Sequence, residues 1–271
     1  MGVFVQQNSS KMSYTSEDSW TILSPIEQSI KQKIESIGIP LKDLNIKIYR
    51  GILTGCNEAF IISGEKKDEL ISKDPKSAEI IRPILRGRDI KRYCYDFADL
   101  WLINTHNGIK EINKPRIDVN EYPAIKLHLD QYYKKLAKRT DKGDTPYNLR
   151  NCAYMDDFSK PSISYAETMR IRKTKITDRF PRFSFIDGNY YQDKTSFIIT
   201  GDDLYYILGI MNSKFMSYYM HKNIAVLDTG GFLVQKIYVE LFPIPNAPQN
   251  IKDRFETYIK SIIKKFKLPT P

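Results

Sequence analysis

A chain of 271 residues, 41% apolar and 12% aromatic, has the means to bury a core, which excludes an intrinsically disordered polypeptide and allows one large domain with or without an appendage. No run approaches the ~18 consecutive apolar residues of a membrane span, and residues 1–14 lack the charged and apolar blocks of a signal peptide. The three cysteines, Cys56, Cys94 and Cys152, are far apart, which suits a reducing cytoplasm, and the net charge of +10 makes a polyanion a candidate partner.

Residues 1–19 read as a flexible N-terminal arm, residues 20–247 as the main body and residues 248–271 as a C-terminal helix. Ser24-Pro25-Ile26-Glu27 predicts a capped helix start, Ile26, Ile30, Ile34 and Ile37 form an apolar stripe, and Gly38 fits its stop. Residues 44–49 alternate as a strand and residues 59–62 form a second apolar run, with a glycine-bearing turn joining the two. Residues 68–72 and 76–81 are short helix candidates, residues 100–103 a strand, and residues 121–138 a helix burying Ile125, Leu129, Tyr132 or Tyr133, and Leu136. A polar loop spans residues 139–146, and residues 162–165 are strand-like.

Residues 183–186 and 196–199 bracket Asp187-Gly188-Asn189 as a hairpin. One helix is predicted over 204–219, with Leu208, Met211 or Asn212, and Phe215 facing inward, followed by short strands at 224–227, 232–234 and 239–242. Pro243-Ile244-Pro245 is expected to break the fold before the amphipathic final helix, whose polar face carries Lys252, Lys260, Lys264 and Lys265. The irregular order of elements makes the class α+β.

Charge is concentrated in three stretches. Residues 82–92 carry five cations and one anion, residues 126–150 seven and three, and residues 170–182 six and one. They are embedded among apolar residues, so they decorate folded structure and point to nucleic acid. Catalytic constellations are missing. His106, His128 and His221 have no metal-ligand spacing, and no P-loop, nucleophile elbow or methyltransferase cofactor loop occurs. A magnesium-dependent nuclease using Glu65 and Lys67 with Asp43 upstream is one rival reading, and a protein-interaction domain using the terminal helix is another.

Six blocks in order carry a family likeness. Gly51-Ile52-Leu53-Thr54-Gly55-Cys56-Asn57-Glu58-Ala59-Phe60 resembles the "G-I-x-T-G-x-N-x-A-F" segment of TaqI-like specificity domains. Leu85-Arg86-Gly87-Arg88-Asp89-Ile90 with Arg92-Tyr93, Tyr147-Asn148-Leu149-Arg150, residues 158–165 (with Ser162 in place of a lysine), residues 208–214 and residues 241–245 resemble the blocks that follow. These are C-terminal target-recognition domains of adenine-specific methyltransferases and of type II and type IIG restriction–modification enzymes. The resemblance implies a twisted mixed sheet or sheets with flanking helices and a C-terminal spacer helix. It implies double-stranded DNA as partner, together with a methyltransferase or endonuclease domain or subunit. S-adenosylmethionine and magnesium are expected only in those associated catalytic domains, with no cofactor and no catalytic site in this chain.

On that reading the DNA-facing candidates are Arg86, Arg88, Lys91, Arg92, Lys138, Arg139, Arg150, Arg170, Arg172, Lys173, Lys175 and Arg179, with Thr54, Asn57 and Thr229 as polar contacts. Asn148, Asn151 and Gln192 are further possible base readers.

Overall fold

The computed structural model describes residues 23–171, 175–188, 190–228 and 230–267. The expected N-terminal arm, together with Arg172, Lys173 and Thr229, lies outside them. The chain opens with α1 (Pro25–Ile37), where Ser24 and Glu27 close the capping box. The Ile26 and Ile37 side chains of its stripe are exposed. Next come β1 (Gly38–Pro40), β2 (Ile46–Arg50), α2 (Asn57–Phe60), β3 (Ile61–Ser63) and α3 (Gly64–Lys73). A 3-10 turn, β4 (Ile81–Leu85), β5 (Leu100–Ile103), α4 (Pro123–Asp130) and α5 (Tyr133–Lys138) follow. The second half holds β6 (Ser162–Ala166), β7 (Thr168–Met169), β8 (Phe183–Ile186), β9 (Tyr191–Gln192), β10 (Ser196–Gly201), α6 (Leu204–Met211) and α7 (Lys214–Asn223). It ends with β11 (Phe232–Leu233), α8 (Lys236–Val239), β12 (Pro243–Pro245) and α9 (Gln249–Lys267). The class is α+β, as expected, and the C-terminal helix is present.

Two four-stranded sheets dominate, in the orders β2-β10-β6-β8 and β3-β5-β4-β9. The second is mixed, because β4 and β9 run parallel, with Ile84 opposite Tyr191. The first divides two hydrophobic cores. Successive side chains of a strand point to opposite faces, so Phe197 and Ile199 of β10 enter the core shared with α6, α7 and α9. Ile198 enters the core shared with β3, β4, β5 and α4.

Several local expectations are corrected. The glycine turn after β2 does not close a hairpin, since β2 and β3 join different sheets. β8 and β10 are not hairpin partners, because β6 lies between them. The helix expected over 204–219 breaks at Asn212. This buried side chain accepts from the Phe183 N–H at 3.0 Å and donates to the Phe183 carbonyl at 2.8 Å, while Ser213 caps α7. Phe215 consequently sits on the exposed side of α7. The helix over 121–138 likewise divides into α4 and α5, and residues 239–242 are not a strand. Pro243-Ile244-Pro245 is β12, paired antiparallel with β1. A two-stranded edge tolerates prolines, which have no N–H to donate. Gly38 is required there, as a Cβ would lie 2.4 Å from that of Pro243.

Two buried histidines couple this fold to pH. His128 on α4 contacts the Ala59 carbonyl through Nε2 at 2.9 Å, and His106 accepts from the Gly108 N–H at 3.1 Å. Burial holds both below the ordinary histidine value of 6.5. The folded chain therefore binds fewer protons than the unfolded one, and stability is lost as pH falls from 6.5 toward the folded values. The Tm is expected to be flat above about pH 7 and to fall as pH drops below about 6.5. In His128→Gln that acid slope should be shallower, and an unchanged slope would remove His128 from the account.

Candidate nucleic-acid interface

The ends of strands from both sheets converge on one place. Gly51, just after β2, donates its N–H to Ser196 at 2.8 Å, and Ile52 donates to Gln192 at 2.7 Å. Gly87, just after β4, donates to the Thr195 hydroxyl at 3.0 Å, and Glu167, just after β6, donates its N–H to the Thr195 carbonyl at 2.9 Å. The Thr195 hydroxyl in turn donates to Asp193 Oδ1 at 2.5 Å. Backbones approach so closely that side chains are excluded: a Cβ on Gly51 would lie 1.9 Å from the Asp193 carbonyl oxygen, and one on Gly87 2.7 Å from that of Thr195. These are the glycines of the first two family-like blocks, so residues far apart in sequence meet at one junction.

Two adjoining hollows open at this junction, sharing Glu167 and Thr195 in their walls. The first, about 560 Å³, is lined by Arg86, Arg88, Lys91, Arg170 and Arg182 among others. The second, about 700 Å³, is lined by Arg50, Arg150, Asn151 and Lys194, with Tyr154 stacked on Tyr49 at 4.3 Å. Carboxylates are fewer in these walls: Glu167, Asp178 and Asp193. Together the hollows form a basic cleft.

The cations in it differ in what already holds them. Arg86 is forked onto Asp89, with Nε to Oδ2 at 2.9 Å and Nη2 to Oδ1 at 2.8 Å, and this pairing raises its pKa. Arg50 donates through Nη2 to both oxygens of Glu167, at 3.0 and 2.8 Å. The Lys91 ammonium contacts the Arg88 carbonyl at 3.0 Å and stands 3.6 Å from Asp178. Arg150 lies 3.3 Å from Asp141. Arg88 and Arg170 are exposed, and their guanidiniums have no partner among the described residues.

Other sequence candidates do not face the cleft. Arg139 is buried, donates to the carbonyls of Thr54, Pro146 and Asn148, and lies 4.6 Å from the Phe60 ring centre. Burial lowers its pKa. Arg92 is spent on the carbonyls of Pro181 and Asn212, and burial lowers its pKa too. Thr54 is buried, and its hydroxyl donates to Asn57 Oδ1 at 2.5 Å, so this pair braces the turn before α2. Buried Asn148 and Gln192 also serve the interior: Asn148 Nδ2 donates to the Ile117 carbonyl at 2.9 Å, and Gln192 Nε2 to that of Tyr190 at 3.0 Å. Arg139, Arg92, Thr54, Asn148 and Gln192 thus spend polar atoms on groups of the interior, because an unpaired buried carbonyl is costly, whereas Asn57 is exposed.

Lys138, Lys175 and Arg179 are exposed but do not line the two hollows. Arg50, Arg182 and Lys194 were absent from the sequence candidates. Arg50 directly precedes the Gly51 block and Arg182 ends a basic stretch, whereas Lys194 carried no signal.

Glu65 and Lys67 occupy the first turn of α3 rather than neighbouring strands. The Lys67 ammonium lies 2.9 Å from Asp68 and 4.2 Å from the Trp101 ring centre. Among the described residues no three His, Cys, Asp or Glu side chains gather in a metal-holding group, and no helix is long and apolar enough to cross a membrane.

No family profile matches the chain. It is 25% identical over 237 residues to the type II methyltransferase M.MjaIV of Methanocaldococcus jannaschii, an alignment covering 84% of this chain and 74% of that protein. Its fold is similar to part of the type IIL restriction-modification enzyme MmeI, solved in complex with DNA, with a TM-score of 0.63 and 15% identity. That match covers 86% of this chain and 29% of that one. The type IIG restriction endonuclease BpuSI matches with a TM-score of 0.51 and 16% identity over 86% of this chain and 27% of its own. The chain thus spans less than a third of the length of either enzyme.

Proposed function

We propose that this chain is the sequence-specific duplex-DNA recognition unit of a restriction–modification system, and that it places a methyltransferase or endonuclease unit on its site. On this reading the recognition body is residues 20–247, and α9 (Gln249–Lys267) follows it. The observation that carries this reading is the basic cleft at the junction of the two sheets. Its cations come from five separate segments, so the fold gathers charge that is scattered along the chain. Such a surface suits a phosphate backbone, while the arginine forks in it suit base edges. S-adenosylmethionine and magnesium chemistry belong to the associated unit on this reading.

Salt dependence tests it. If ~4–6 phosphates are neutralised, log K for duplex DNA should fall with log salt at a slope of roughly −4 to −5. A slope near zero, or no binding, would refute the reading.

A further inference from the structure

Cations that grip phosphate need only charge, whereas one that reads guanine must bring two parallel N–H groups to O6 and N7. A reader therefore needs a free fork on a fixed stem. We infer that Arg170 is the specificity-determining side chain of the cleft, reading a guanine edge, with Arg182 and Gly231 as its positioning residues. The inference rests on the DNA-recognition reading above.

The other cations of the cleft fail one requirement or the other. Arg50, Arg86 and Arg150 already carry a carboxylate on the guanidinium. Lys91 and Lys194 have no fork. Arg88 has a fork without a partner among the described residues, but it lines the hollow with Arg86 and with Lys91, which bonds its carbonyl, so its neighbours are cations suited to phosphates.

Arg170 meets both requirements. It directly follows β7, which is paired with β11 through Met169 and Phe232. Its carbonyl accepts from Arg182 Nη1 at 2.7 Å, and Arg182 also donates to the Asp178 carbonyl at 3.1 Å, so the two ends of this basic segment are tied together. Gly231 backs onto the stem: a Cβ there would lie 3.2 Å from Arg170 Cγ and 3.3 Å from its Cα, and φ is +150°. Arg182 thus ties the Arg170 backbone and Gly231 borders its side-chain stem, while the guanidinium has no partner among the described residues and the residue lines the 560 Å³ hollow. A fixed stem reduces the ordering cost of forming the two bonds, which is what a discriminating contact requires.

The test uses the full chain. A preferred duplex is selected from a random pool, and its single-base variants are titrated with wild type, Arg170→Lys and Gly231→Ala. Arg170→Lys keeps the charge and loses the fork. It should retain the salt slope and the affinity for random DNA, yet lose roughly tenfold to a hundredfold of discrimination at one G·C position. Gly231→Ala should weaken preference at that same position and at no other. Wild-type discrimination at every position in Arg170→Lys would overturn the inference and leave the recognition reading standing. An equal loss on all sequences with a lowered Tm would also overturn it, by showing a structural role. If wild type selects no sequence at all, the recognition reading falls and the inference with it.

Discussion

Arg139→Ala is expected to destabilise the chain by about 3–5 kcal/mol, a fall in Tm of roughly 6–20 °C. The side chain is only 7% exposed, and its guanidinium satisfies the carbonyls of Thr54, Pro146 and Asn148, which belong to two separate loops. Removing it strands the Thr54 and Pro146 carbonyls, leaves that of Asn148 with only the Gly143 N–H at 3.1 Å, and opens space against Phe60. Arg139→Lys should recover little, because one ammonium cannot span the fork's acceptors. Thermal unfolding followed by circular dichroism reads the effect. A variant with wild-type Tm and weakened DNA binding would return Arg139 to the DNA surface.

Arg139 also shows where sequence reasoning stops. In the chain it looks like Lys138, its neighbour in a basic stretch, yet Lys138 is exposed and Arg139 lies inside. A buried arginine is chosen by carbonyls that only the folded chain brings near it, and no local pattern records them. The same holds for Arg92, whose acceptor on Asn212 is 120 residues away. Local signals did better. The Ser24–Glu27 capping box and the strand at Leu100–Ile103 follow from cap chemistry and from an apolar run. Ile125, Leu129 and Leu136 are buried, as their helical spacing predicts.

Pairing was less legible than the elements themselves. Phe183–Ile186 and Ser196–Gly201 are strands, but non-local partners took the places that a hairpin would have filled. The parallel pairing of β4 with β9 joins residues about a hundred positions apart. The cleft was half visible. The blocks around Gly51 and Gly87 stood out, but their contact through Thr195 and Asp193 did not, and isolated cations such as Lys194 became site residues only by folding.

The most direct test of the central claim, that DNA lies in this cleft, compares two double charge reversals with the same change in net charge. Arg88→Glu with Lys194→Glu alters two cleft cations that have no side-chain partner among the described residues, and Lys134→Glu with Lys264→Glu alters two exposed lysines outside it. Duplex-DNA affinity is measured for each across a salt series, with Tm confirming the fold. The cleft variant should lose well over tenfold in affinity at low salt and show a slope shallower by about 2, whereas the distal variant should lose little beyond a long-range term that salt screens. Equal losses and equal slopes in the two variants would mean that DNA is drawn to net charge alone and would contradict the claim.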